Sequence, residues 1–221
     1  MEFDLIKELK NYKPFNESEK EKVEKTINFI ETNENQFSRT NLKGHVTAGG
    51  FVCDENGEEY KDNDERCIFF ARGVLETVKK LRWTPNIVHC SGWMSALTPL
   101  FIKKLYNDTP FFENSKVVLS LDSEEFDTPF NSKFAEKIIG GSVLQSHVRG
   151  IAGLPVAYED LMRLAIDYCD AIVLSSENVN QRLLNYAQNS GKPIMPYVGE
   201  DKEAHLKFYN ELLGKNEEDE E

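Results

Sequence analysis

The sequence predicts an α/β fold: three layers built on a mostly parallel sheet, with a helical N-terminal appendage. Two observations carry that prediction. Short apolar runs near 86–90, 116–121, 171–175 and 193–198 alternate with segments of helical periodicity, the signature of successive β/α units. Within them, residues 60–106 (YKDNDERCIFFARGVLETVKKLRWTPNIVHCSGWMSALTPLFIKKLY) read as a capped helix, a turn, a buried strand, a tight small-residue turn and a second helix. Together they define a partial Rossmann-like sheet. In open sheets of this kind, ligands bind at the carboxyl ends of the strands.

Each element has a local reason. Residues 3–12 and 18–31 form two amphipathic stretches joined at Lys13-Pro14, and Ser18 with Glu21 fits a capping box. Residues 42–52 alternate and are rich in β-branched side chains, which predicts a strand, and Asp54-Glu55-Asn56-Gly57 predicts a turn. Asp62, Asn63 and Asp64 are candidate caps for a helix near 64–81, whose apolar stripe runs Cys67, Ile68, Ala71, Val74, Leu75, Val78, Leu81. Thr84-Pro85 ends it, Ile87 and Val88 begin a strand, and a second helix spans 94–106, with Pro99 imposing a kink or a late start. Further helices are expected near 132–139, 158–169, 178–189 and 202–213, with Ser175-Ser176-Glu177 capping the third of these. Residues 122–131 and 140–157 read as loops, and residues 216–221 as an acidic, disordered tail.

Composition narrows the function classes. The 221 residues carry 26 basic and 38 acidic side chains, a net charge of -12, which excludes nucleic acid and an anionic membrane as bulk electrostatic partners. There is no apolar run long enough for a membrane span, and the N-terminus lacks the apolar core of a signal peptide. Cys53, Cys67, Cys90 and Cys169 are scattered among apolar neighbours without zinc-ligand spacing. They read as reduced, buried side chains of a cytoplasmic protein, with no metal and no cofactor.

Several segments carry a resemblance. DNDER followed by IFF, then PNIVHCSGW, FFENSKVVLSL, LMRLAIDYCDAIVLSSENV and NSGKPIMPY resemble the starch synthase catalytic domain of glycogen/starch synthases, glycosyltransferase family 5, over about residues 55–210. A short bacterial form that keeps little beyond the N-terminal Rossmann-like domain is the nearer likeness. The resemblance implies glucosyl transfer from ADP- or UDP-glucose to an α-1,4-glucan. It also implies that other catalytic groups reside in a second domain, which a separate protein would have to supply. Residues 5–53 instead resemble the N-terminal segment of a Nudix hydrolase, without the carboxylate-rich box that such an enzyme needs. The expected organisation is therefore an appendage at 1–53, a synthase-like domain at 54–214 and a tail at 215–221.

Four residues are candidates for substrate binding. His89 and Trp93 flank the turn after the first predicted sheet strand: Trp93 offers a face to a sugar ring and His89 a hydrogen bond. Both also have a plain packing explanation. Asp122 and Ser123 follow the strand 116–121. By resemblance, Asp122 stands where long synthases carry the His of a T-V-H-N strand end, and Ser123 where they carry the Asn. A carboxylate has no proton to donate to a sugar hydroxyl and repels a diphosphate. The family's Gly-rich donor loop has no counterpart in the sequence. The expectation is a synthase-like protein that is weak or inactive alone, with no assignable catalytic residue. The alternatives are a non-catalytic glucan- or protein-binding domain and, less supported, a Nudix-related hydrolase.

Overall fold

The computed structural model describes residues 9–11, 13, 17–32, 59–199 and 201–215, and the chain divides into two compact units, 1–58 and 59–221. In the first, helix α1 runs Glu17–Thr32 and buries Ile30. The expected strand at 42–52, the turn after it, the side chains of the Ser18–Glu21 box and the tail from 216 lie outside the described residues.

The second unit is a parallel four-stranded sheet in the order β1-β2-β3-β4: Ile87–Cys90, Lys116–Leu121, Ala171–Leu174 and Ile194–Met195. Helix α2 (Asn63–Lys80) precedes the sheet. Helix α3 (Thr98–Lys104) joins β1 to β2, and α4 (Phe134–Ile138) and α5 (Tyr158–Tyr168) join β2 to β3. Helix α6 (Gln181–Asn189) joins β3 to β4, and α7 (Lys202–Leu213) follows. A sequential parallel order with right-handed crossovers places the joining helices on one face of the sheet. The other face is left to α7.

Strand alternation decides what each face meets. Val117, Leu119, Leu121 and Ile172 are buried on the face of the joining helices. Val118, Ala171, Val173 and Met195 form the opposite face, where Ile87 and Val198 join Ala204, Phe208, Tyr209 and Leu212 of α7. Both faces are apolar, so β2 and β3 read as continuous hydrophobic runs rather than as alternating ones.

Helix ends resolve one local expectation and depart from others. Pro99 sits in the first turn of α3, so the proline produces a late start rather than a kink. Asp62 holds the cap position of α2 without bonding its amides, and its carboxylate instead takes Arg66 Nε at 2.9 Å. Asp64, 3% exposed, reaches across to α4: it accepts from Lys137 Nζ at 2.7 Å and from the Asn131 amide. The cap of α6 is Asn180, whose Oδ1 accepts from Arg182 N at 3.0 Å and Leu183 N at 3.2 Å, while Ser176 serves only the turn before it. Lys103, in the last turn of α3, pairs with Asp170 at 2.6 Å, and Asp170 also receives the Val117 amide at 2.7 Å. That pair pins α3 to the start of β3.

Candidate sugar site at the strand ends

The turn after β1 is set by Gly92, at φ +71 and ψ 156, a backbone that side chains with a Cβ rarely adopt. Ser95 locks the turn by donating to the carbonyls of Ser91 at 3.0 Å or Gly92 at 2.8 Å. Trp93 then begins a single 3₁₀ turn, Trp93–Ser95.

Trp93 points inward and is 6% exposed. Its ring meets Phe126 edge-on at 5.0 Å and Phe130 at 5.8 Å, and those two rings stack at 4.5 Å and 6°. Phe134 and Tyr158 extend the cluster. The aromatic group ties the β1 turn to the loop after β2 and to the first residue of α5. Its indole is part of the packing, and no sugar-sized surface of it faces solvent.

Asp122 follows β2 and is half-buried. Its Oδ1 accepts the Glu124 amide at 3.0 Å. Burial pushes its pKa up, and the charge of Glu124 adds to the rise. The backbone amides of Glu124 and Gly92 pull the other way. The Gly92 contribution places Asp122 against the β1 turn, so the structure brings together two of the segments named from sequence. Ser123 is exposed beside it.

Near Asp122 lie residues that sequence reasoning missed. Burial and the charges of Asp122, Glu125 and Glu124 push the Tyr158 hydroxyl pKa well above its usual range, so these carboxylates lie within electrostatic reach of it. Asn180 Nδ2 donates to Glu125 Oε1 at 3.0 Å or Glu159 Oε1 at 3.3 Å, and Glu159 also pairs with Arg163 and Arg182 at 3.6 and 3.5 Å. An Asn before an amphipathic helix was the available signal for Asn180. Nothing local marks Tyr158, which is brought in by the fold.

His89 serves the α7 face of the sheet. Solvent reaches the residue, but both ring nitrogens face hydroxyls: Nε2 shares a 2.6 Å hydrogen bond with Ser120 Oγ, and Nδ1 a 2.7 Å bond with Tyr209 Oη. Burial lowers its pKa, and nearby His205 lowers it further.

The described thiols are unsuited to nucleophilic work. Burial pushes Cys67 and Cys90 to about 12 and Cys169 to about 11, so at neutral pH all three stay protonated. Among the described residues no His, Cys, Asp and Glu grouping is placed to hold a metal ion, and no helix is long and apolar enough to cross a membrane. A groove of about 580 Å³ along α2, lined by Ile68, Phe69, Arg72 and Glu76 among others, contains none of the four candidates.

A parallel α/β sheet with polar residues gathered past its carboxyl ends defines the class of Rossmann-like domains. Comparison with known proteins gives the family: the Starch synthase catalytic domain matches residues 5–193, and the chain belongs to that family. It is similar to the glycogen synthase of Chlorobium limicola, 40% identical over 89 residues, covering 40% of this chain and 17% of that protein. The glycogen synthase of Clostridium perfringens is 30% identical over 149 residues, covering 66% and 28%. That of Geotalea uraniireducens is 32% identical over 150 residues, covering 67% and 28%. The chain thus spans less than a third of the length of these relatives. The family match begins at residue 5 and so takes in residues 5–53 as well, where the expected Nudix-like segment is not shown.

Proposed function

We propose that this chain is a glycogen/starch-synthase-type domain that engages an α-1,4-glucan at the ends of β1 and β2. Its nominal donor is ADP- or UDP-glucose, and alone it transfers glucose weakly or not at all. The observation that carries the reading is Asp122, seated against the Gly92 turn with Glu124 and Glu125 close by. Carboxylates and the Asn180 amide suit neutral, hydroxyl-rich sugars, for which they supply acceptors and a donor. The same carboxylates oppose a diphosphate. Arg163 and Arg182 are already paired with Glu159, which shares the Asn180 amide with Glu125. A separate protein that supplies the donor-binding half would complete the reaction, and the natural setting is the cytoplasm. A glucan-binding domain without chemistry of its own rests on the same carboxylates. Of the four sequence candidates, Asp122 and Ser123 belong to this reading; Trp93 supports it through packing, and His89 is engaged with Ser120 and Tyr209 instead.

Titration calorimetry of the purified chain with maltoheptaose and, separately, with ADP-glucose tests the reading. Saturable maltoheptaose binding is expected, with ADP-glucose at least about tenfold weaker, a difference of about 1.4 kcal/mol. Tighter binding of ADP-glucose than of maltoheptaose, or no binding of either, would sink it.

A further inference from the structure

The loop after β2 runs through two environments. Phe126 and Phe130 are buried in the aromatic cluster, while residues 123–125 and 127–129 are exposed. Exposed backbone with few buried contacts is where local opening concentrates.

Glu59 holds two amides of this loop. Asp127 N donates to its Oε1 at 3.1 Å, and Thr128 N to its Oε2 at 3.1 Å. Each carboxylate oxygen takes one amide, and the charge on the acceptor strengthens both bonds. The clamp joins residues 68 and 69 positions apart. Its base is itself fixed: Asn63 N donates to the Tyr60 carbonyl at 3.1 Å, and the Arg66 guanidinium covers the Tyr60 ring at 4.1 Å. Asp64 then takes the side-chain amide of Asn131, at the far end of the same loop. The entry to α2 therefore grips the loop at 127–128 and again at 131.

We propose that Glu59 is a positioning residue of the strand-end site, one that sets the place of Glu124 and Glu125 without touching the ligand. The proposal rests on the glucan reading above. Phe126 lies between the clamped pair and Glu125, and its ring is seated 5.0 Å from Trp93 and 4.5 Å from Phe130. With the ring seated and 127–128 pinned, the backbone leading to Glu125 has a fixed direction, and Glu125 meets the Asn180 amide at 3.0 Å. Without the clamp, Phe126 becomes a pivot. Glu124 and Glu125 then spend part of the time away from Asp122, and apparent affinity falls by the fraction of molecules that keep the loop in place. Glu59 is partly exposed, so its truncation removes two bonds without opening a core cavity.

Glu59→Ala and Glu59→Gln, made in the full chain, test this by amide NMR, urea denaturation and maltoheptaose calorimetry. In ligand-free Glu59→Ala the Asp127 and Thr128 amide protons are expected to move upfield, while the urea midpoint stays in place. The dissociation constant for maltoheptaose is expected to rise about three- to tenfold. Glu59→Gln keeps one carbonyl oxygen for one amide and should fall between the parent and Glu59→Ala. Unmoved amides would show that no clamp forms, and unaltered affinity in the unclamped protein would show that it positions nothing; either overturns the proposal. A urea midpoint that drops together with affinity overturns it too, because Glu59 then serves only the fold. If the unaltered chain binds no maltoheptaose, the glucan reading has failed, and the Glu124 and Glu125 amides decide the clamp. Their displacement in Glu59→Ala supports it, and their staying in place overturns it.

Discussion

Incubated with ADP-glucose and glycogen, the 221-residue chain is expected to turn over at least about 10²-fold below the ordinary enzyme range of about 1–10³ per second. Glucosyl transfer separates a sugar from a diphosphate, and the barrier falls only if donors and cations meet the charge that develops. One such contact is worth about 10²–10³ in rate. Asp122 occupies a position where the family resemblance places a histidine. Its carboxylate already accepts the Glu124 amide, and Glu124 and Glu125 add negative charge around Tyr158. On that resemblance, an acceptor stands where the reaction calls for a donor. Radiolabelled transfer into glycogen is the measurement. Turnover near 1 per second would show that the carboxylates do not obstruct the reaction.

Trp93→Ala is expected to cost about 3–5 kcal/mol of stability in urea denaturation, the range for deleting a buried Trp or Phe. The indole sits 5.0 Å from Phe126 and 5.8 Å from Phe130, at the junction of the β1 turn, the post-β2 loop and α5. Its loss opens a cavity between segments that cannot collapse independently. Phe69→Ala is the control: Phe69 is 80% exposed, and its truncation should fall within about 0.5 kcal/mol. A folded Trp93→Ala that loses less than about 1 kcal/mol but no longer binds maltoheptaose would restore Trp93 as a sugar platform.

How much was legible in the sequence depended on how local the cause was. The stripe from Cys67 to Val78 specified α2, because one buried face at helical spacing has a single solution. Ile87-Val88 and the run KVVLSL gave β1 and β2 for the same reason. The fate of Asp64 was not legible: its partners Asn131 and Lys137 lie 67 and 73 residues away, and local rules assign such a residue to a cap. The partner of Lys103 was hidden in the same way, since Asp170 lies 67 residues further on. At the site, the strand-end position of Asp122 followed from the pattern of β2, whereas the carboxylates around Tyr158 depend on how two loops fold together. His89 carried no sign of Tyr209, which is 120 residues away. The residues that shape this protein's chemistry are brought together by tertiary packing, and a single sequence records spacing rather than packing.

Amide chemical-shift mapping of the full chain, titrated with maltoheptaose and then with ADP-glucose, places the ligand directly. The expected result is saturable shifts at Gly92, Asp122–Glu125, Tyr158 and Asn180 with maltoheptaose, and smaller ones with ADP-glucose. Shifts confined to the α2 groove around Phe69, or none at the strand ends with either ligand, would contradict a glucan site there.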